Sequence, residues 1–283
     1  MPQRCATIPF LTLIGYDRKW AGVSPSSAGN GHRMLYLKAT TDYIIEPDKR
    51  VFAVLGTAVH EKLAKHGYTK DVLSEEKLSD EQMKGIADCL ETDEIDVKYY
   101  VLTDYKTSGS YKISIWLGIV SETEEETILD EEGKPVLLKS GKNKGQPKTK
   151  QKRTITTDPK KADMREVELQ INRYRILFES QGFPISRMQI QAIPRDGGTY
   201  VAKNRGIDKN LYMIPVKRLT NKFVLEFYQA LADRVNKAFK TGYARQCNAW
   251  ETWDNRNRCE NFCEVKEACI EMSKRNNERW GIL

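Results

Sequence analysis

The chain has 283 residues, 40% of them hydrophobic and 30% charged, with a net charge of +7. That length allows one large domain, or one domain with an appendage, and ample core. Its longest apolar runs, FLTLI and VFAVL, are too short to span a bilayer, and a basic balance suits an anionic partner without naming one.

The N-terminus lacks the basic, apolar and small-residue succession of an export signal. Six cysteines in such a chain argue against a disulfide scaffold and for a cytoplasmic protein with no membrane partner.

In chain order, residues 1–50 read as irregular, with SPSSAGNG (24–31) a loop and HRMLYLKA (32–39) the start of a short helix. VFAVLGTAVHEKLAKHG (51–67) predicts a helix ending at Gly67. Phe52, Leu55, Val59 and Leu63 are its apolar positions, and a stripe of Gly56, His60 and Ala64 leaves room beside the imidazole. MKGIADCLE (83–91) and YYVLTDYKT (99–107) predict a hairpin, and a turn near Asp96 sets Asp88 almost opposite Asp104. SYKISIWLGIV (110–120) reads as a strand or a short helix. Residues 121–162 form a charged insertion, acidic over 122–132 and basic over 134–153. It reads as a solvated, mobile hairpin or loop, or else as a phosphate-contacting arm.

ADMREVELQINRYRILFESQG (162–182) predicts a helix with Val167, Ile171, Tyr174 and Phe178 on its apolar face and Gln170 beside them. ISRMQIQAIPRDGG (185–198) alternates as a strand into a turn, and NLYMIPVKRL (210–219) is another strand. Residues 219–242 predict an amphipathic helix with Phe223, Phe227, Leu231, Val235 and Phe239 on one stripe. From 243 the chain is rich in Cys, Trp and Asn. This order predicts an α/β domain with a central mixed β-sheet flanked by helices.

Asp104 and Lys106 share a strand face, Asp88 comes from the neighbouring strand and His60 from a packed helix. Two carboxylates and an imidazole suit a divalent metal, magnesium or manganese, with the imidazole favouring manganese. A lysine beside it would hold the attacking water and help deprotonate it, which is the chemistry of phosphodiester hydrolysis. Taken singly, Asp-x-Lys reads as a salt-bridged strand end, His60 as a satisfied histidine and Gln170 as a cap on a strand edge.

GTAVH (56–60), GIAD (85–88), LTDYKT (102–107) and QINRY (170–174) follow one another in an order that resembles the RecB-like branch of the PD-(D/E)XK nuclease superfamily, including CRISPR-associated and phage exonucleases. The resemblance runs from about Ser24 to Cys269 and implies a restriction-endonuclease-like core. It implies that His60, Asp88 and Asp104 bind metal with the Tyr105 carbonyl. Lys106 would orient water, and Gln170 and Tyr174 would position Lys106 or the scissile phosphate. Arg33 and Tyr36 match a stretch that in the family reads C-P-R-x-x-Y.

Cys247, Cys259, Cys263 and Cys269 follow a C-x11-C-x3-C-x5-C pattern, which suits zinc or an iron–sulfur cluster. The resemblance implies a four-iron four-sulfur (4Fe-4S) cluster with one N-terminal cysteine and a C-x2-C-x5-C run. Here Gly31 stands at the N-terminal position and the run has x3, so Cys247, or less simply Cys5, is left to supply the fourth ligand, and zinc stays open. Cys89 reads as a packing residue, and Trp250, Trp253 and Phe262 as shields of the cysteine site.

The expected layout is an N-terminal segment 1–23, a nuclease core 24–242 carrying the insertion, and a Cys-rich metal-cluster segment 243–283. The expected function is a metal-dependent deoxyribonuclease, an exonuclease on single-stranded DNA or duplex ends, in recombination, repair, phage DNA metabolism or CRISPR-type processing with partner proteins of such complexes. The rival is a non-catalytic DNA-binding or assembly module with a structural zinc or iron–sulfur site.

Overall fold

Alternation and helical periodicity turn into strands and flanking helices in a computed structural model, which describes residues 5–15, 20, 22–67, 69, 71–253 and 256–278. β2 (Lys84–Thr92) and β3 (Tyr100–Ser108) form the expected antiparallel hairpin, with Cys89 opposite Thr103 and Leu90 opposite Leu102. The next pair in that register is Asp88 and Asp104. There the ladder gives way, and the Asp88 carboxylate accepts the Tyr105 N–H at 2.7 Å. Cys89 is buried, as a packing residue should be.

A strand absent from the sequence-based expectation, β1 (Val72–Ser79), pairs antiparallel with β2. Val72, Leu73 and Leu78 are its only apolar residues, so it has neither the alternation nor the apolar run of a recognisable strand. β6 (Ile185–Pro194) and β7 (Tyr212–Val216) complete a five-stranded mixed sheet in the order β1-β2-β3-β6-β7.

The helices expected from the sequence are present, two of them with shifted faces. α1 (Ile8–Gly15) lies in a stretch expected to be irregular, and α2 (His32–Thr40) is where expected. α3 (Pro47–Ala64) begins earlier, at a proline suited to the first turn, and ends a turn before Gly67. None of its residues is buried, and its expected apolar face leaves Phe52 and Leu55 about half exposed. α5 (Arg165–Ser180) buries Val167, Ile171, Tyr174 and Phe178 as expected. α7 (Asn221–Thr241) is turned from the expected stripe. It buries Val224, Tyr228, Leu231, Val235 and Ala238, while Phe223 and Phe239 stay exposed. Val224, Tyr228, Leu231 and Val235 join Val23, Ala28, Leu35, Met83 and Leu169 in one core, where the Tyr228 hydroxyl donates to the Pro25 carbonyl at 2.7 Å. The tail carries α8 (Asn257–Asn261) and α9 (Lys266–Arg275).

The chain divides into two compact units. The first comprises Met1–Thr107, Arg165–Gln191 and Pro215–Leu283; the second comprises Ser108–Met164 and Ala192–Ile214. In the second, residues 110–120 resolve into α4 (Ser110–Trp116) and the start of β4 (Ile119–Thr127), and α6 (Tyr200–Asn204) follows β6 in the chain. The insertion is a two-stranded ribbon of β4 with β5 (Thr149–Thr157). Its register places acids opposite bases, Glu124 against Lys152 and Glu126 against Lys150. Among the described residues, no helix is long and apolar enough to cross a membrane.

Candidate functional site

Two glycines of the sequence motifs exist for close packing. A Cβ on Gly56 would lie 3.1 Å from Thr107 Oγ1, so the bare backbone lets α3 approach β3. A Cβ on Gly85 would lie 2.7 Å from the Tyr174 ring and 2.9 Å from Pro25. The glycine of GIAD therefore makes room for the tyrosine of QINRY, and the two motifs are halves of one contact.

Around that contact the polar side chains converge. Gln170 donates to Asp104 Oδ1 at 2.9 Å and accepts from Lys106 Nζ at 3.1 Å. Lys106 Nζ lies 2.6 Å from Asp104 Oδ2. That oxygen is buried, and among the described residues Lys106 is its one close polar neighbour. His60 Nδ1 is 3.3 Å from Asp88 Oδ1, and its ring meets the Tyr105 ring edge-on. The Tyr174 hydroxyl meets Gln170 and the Ile86 N–H. His60, Asp88, Asp104, Lys106, Gln170 and Tyr174 all lie in the first unit, and Tyr105 enters by its N–H, bonded to Asp88.

The electrostatics follow from burial. Asp104 is 3% exposed, and desolvation raises its pKa against the pull of Lys106, with Asp88 adding to the rise. The hydrogen bond to Asp88 raises the His60 pKa against the opposing effect of burial. Burial, with Asp104 and Asp88 nearby, pushes the Tyr174 phenol up, so it acts as a neutral hydroxyl.

Among the described residues, one trio of ligand atoms lies within 4.8 Å: His60, Asp88 and Glu75. Glu75 was absent from the sequence-based candidates. It sits on the unrecognised β1, and the pairs Ser74–Cys89 and Glu76–Ala87 on either side set it across from Asp88. Its φ of 53° is left-handed, a costly geometry for a glutamate in a strand. Hairpin register counted back from the Asp80–Met83 turn would have revealed it. Asp104 stands outside this trio and is held by Gln170 and Lys106. Two carboxylates and an imidazole drawn together, with the buried Asp104 carboxylate beside them, form a donor set suited to a divalent cation.

The four cysteines of the tail line a second cavity of about 30 Å³ with Arg33, Met34, Leu37 and Val265. All are free thiols. A Cβ on Gly31 would collide with Cys247 Sγ, so Cys247 fills the space that a side chain at 31 would need. Burial, then Glu251, pushes the Cys247 thiol up to about 12, and burial also raises Cys259 and Cys263. Arg33, fully buried, fastens α2 to the tail through Glu278, the Cys269 carbonyl and Ser273 Oγ, each at 2.8 Å. Tyr36 packs edge-on against Phe239. The expected aromatic shield is absent from the cavity lining. Trp253 packs at a tilt on Phe262 with the Arg258 guanidinium over its ring, and Trp250 packs edge-on against Phe227. Cys5 is exposed.

No family model and no curated protein matches the chain. Among solved structures, the crystal structure of SSO0001 aligns over 93% of this chain and 92% of its own, at 12% identity and a TM-score of 0.43. A likeness that faint carries no argument about chemistry.

Proposed function

We propose that this chain is a metal-dependent deoxyribonuclease of the RecB-like PD-(D/E)XK kind. It would act as an exonuclease on single-stranded DNA or duplex ends. The observation that carries the reading is the convergence of Asp104, Lys106 and Gln170 with His60 and Asp88, from α3, β2, β3 and α5, beside an open groove. A divalent cation, manganese or magnesium, would be held by His60, Asp88 and Asp104, with Glu75 in reach, and would supply positive charge to a phosphoryl oxygen. Gln170 fixes Asp104 and Lys106 together. Lys106 holds the attacking water beside Asp104 and helps remove its proton. Water oxygen bonds to phosphorus, the phosphorus–oxygen ester bond breaks, and a phosphate monoester and a free hydroxyl result.

The tail cysteines would hold a 4Fe-4S cluster, with zinc as the alternative, and Cys247 in the role that Gly31 vacates supports a site confined to the tail. Arg33 then ties that site to α2. A visible absorption band in protein purified without oxygen, lost in Cys247→Ser, is the result expected of a cluster. A colourless protein carrying zinc rules the cluster out.

The activity is tested on end-labelled single- and double-stranded DNA, with circular controls, in manganese and in magnesium. Asp104→Ala and Lys106→Ala are expected to lose at least about a hundredfold in rate, the scale of one electrostatic or acid–base contribution. Variants that degrade DNA as fast as the wild type would leave the non-catalytic binding module as the reading.

A further inference from the structure

The groove beside the acid–lysine cluster is larger than cleavage chemistry needs. Its volume is about 950 Å³, and His60, Glu75, Asp88, Gln170 and Tyr174 line only part of it. The rest of the lining includes Lys65, Lys77 and Lys84, with Ser24, Ser26 and Ser79 hydroxyls. The pairs Lys77–Ile86 and Ser79–Lys84 put these side chains on one face of the β1–β2 hairpin, the face of Asp88. The other face is turned inward, with Leu78 and Ala87 buried. Along β2 the groove face thus reads Asp88, Ile86, Lys84: acid, apolar, base, at steps of about 7 Å.

Ile86 is 38% exposed between the two lysines, an apolar surface with no core to cover it. Lys65 caps the C-terminal end of α3. All three lysines are exposed, and none of their ammonium groups forms an ion pair or hydrogen bond with another described residue. Three acids share the lining: Asp88 and Glu75, in the ligand trio, and Glu61, one turn before Lys65 on α3. The ribbon of β4 and β5 is the contrasting case. There Lys150 and Lys152 on β5 face Glu126 and Glu124 on β4, and Lys150 is paired with Glu126 at 3.4 Å. The groove thus sets three unpaired lysines beside the acid–lysine cluster, where the sequence had pointed to the insertion.

We propose that Lys77 and Lys84, with Lys65, hold successive phosphates of a single nucleic-acid strand on one side of the cleaved bond, with Ile86 under a sugar or base between them. This rests on the nuclease reading and says which surface carries the strand. Each lysine supplies a mobile ammonium to a phosphate and releases condensed counterions, so its contribution shows as salt dependence. The serine hydroxyls offer further donors to the same backbone.

The test separates binding from cleavage. Anisotropy of a labelled single-stranded oligothymidylate is followed against salt with Asp104→Ala protein, and with wild type in chelator. Adding Lys77→Gln and Lys84→Gln is expected to weaken binding about tenfold near 0.1 M salt and to flatten the log–log salt slope by about 1.4, two single-strand phosphate contacts. Lys150→Gln with Lys152→Gln, an equal loss of charge on the ribbon, is expected to change neither. Unchanged binding in the groove variant, an equal loss in the ribbon variant, or no binding by either parent overturns the proposal. Wild-type cleavage, measured separately, decides the nuclease reading.

Discussion

Arg173 is the most exacting single residue outside the groove. Its side chain is wholly buried on α5, and two of its nitrogens, Nε and Nη1, have no partner among the described residues. The third meets Asp80 Oδ2 at 2.5 Å. Asp80 sits in the β1–β2 turn, where its other oxygen accepts the Gln82 and Met83 N–H groups at 2.9 and 3.0 Å. One carboxylate therefore closes the hairpin and neutralises a buried cation. Partial burial pushes the Asp80 carboxyl up, but the Arg173 bond and the two N–H groups outweigh it and hold it below the ordinary value. A carboxyl lowered in the folded state adds stability that is fully present above its unfolded pKa of about 3.9 and is lost as pH falls through the folded value. Asp80→Asn is expected to cost about 2 kcal/mol at neutral pH, less than a fully buried pair because Asp80 is one-third exposed. In urea unfolding the two proteins should converge below about pH 4, as protonation removes the wild-type advantage. Equal stability at neutral pH would show that Arg173 finds its compensation elsewhere.

At the scale of elements, the parts of the site legible in the sequence are those whose chemistry is local. The β2–β3 hairpin could be read because its turn fixes its register, and Asp88 and Asp104 stand as the next pair beyond Cys89–Thr103. The QINRY helix could be read because Val167, Ile171, Tyr174 and Phe178 repeat at helical spacing and are all buried. β1 was illegible because a mostly polar strand at a sheet edge has no periodicity to find. Glu75 was lost with it. The faces of α3 and α7 were misread for a different reason. Several apolar arcs fit each helix, and only the tertiary partners choose between them. On α7 the choice went to Val224 and Tyr228, which reach the Pro25–Ala28 turn, over Phe223 and Phe239. On α3 it went to Gly56 and His60, which serve β3 and Asp88 rather than a core. The tail shows a third limit. Cysteine spacing marked a site, but only three dimensions could place Cys247 against Gly31.

For the molecule as a whole, the charge pattern along the chain and the charge pattern in space say different things. Read linearly, 122–132 and 134–153 are an acidic block and a basic block. Folded into β4 and β5, residues 123–127 of the acidic block lie against 149–153, the end of the basic block, and both faces of the ribbon are solvated beyond Val120. Such a ribbon needs no core: alternate backbone groups pair across the ladder, the outer edges meet water, and Glu124 and Glu126 oppose Lys152 and Lys150. Nearer its base, Ile119 and Ile155 approach Gly206, whose φ of 78° and lack of a Cβ admit them. The second unit should therefore depend on the pairs Ile119–Thr157 to Ser121–Ile155 and be indifferent to what lies beyond. Replacing residues 123–153 by an Asn-Gly turn that joins Glu122 to Thr154 keeps those pairs and a favoured hairpin geometry. The shortened protein is expected to melt within about 2 °C of the parent, since exposed segments away from buried contacts contribute little. It should also degrade single-stranded DNA at the parental rate, because the lysines assigned to the strand are in the groove. A large fall in melting temperature would place part of the ribbon in the core, and a large fall in rate with unchanged melting would return the insertion to the substrate path.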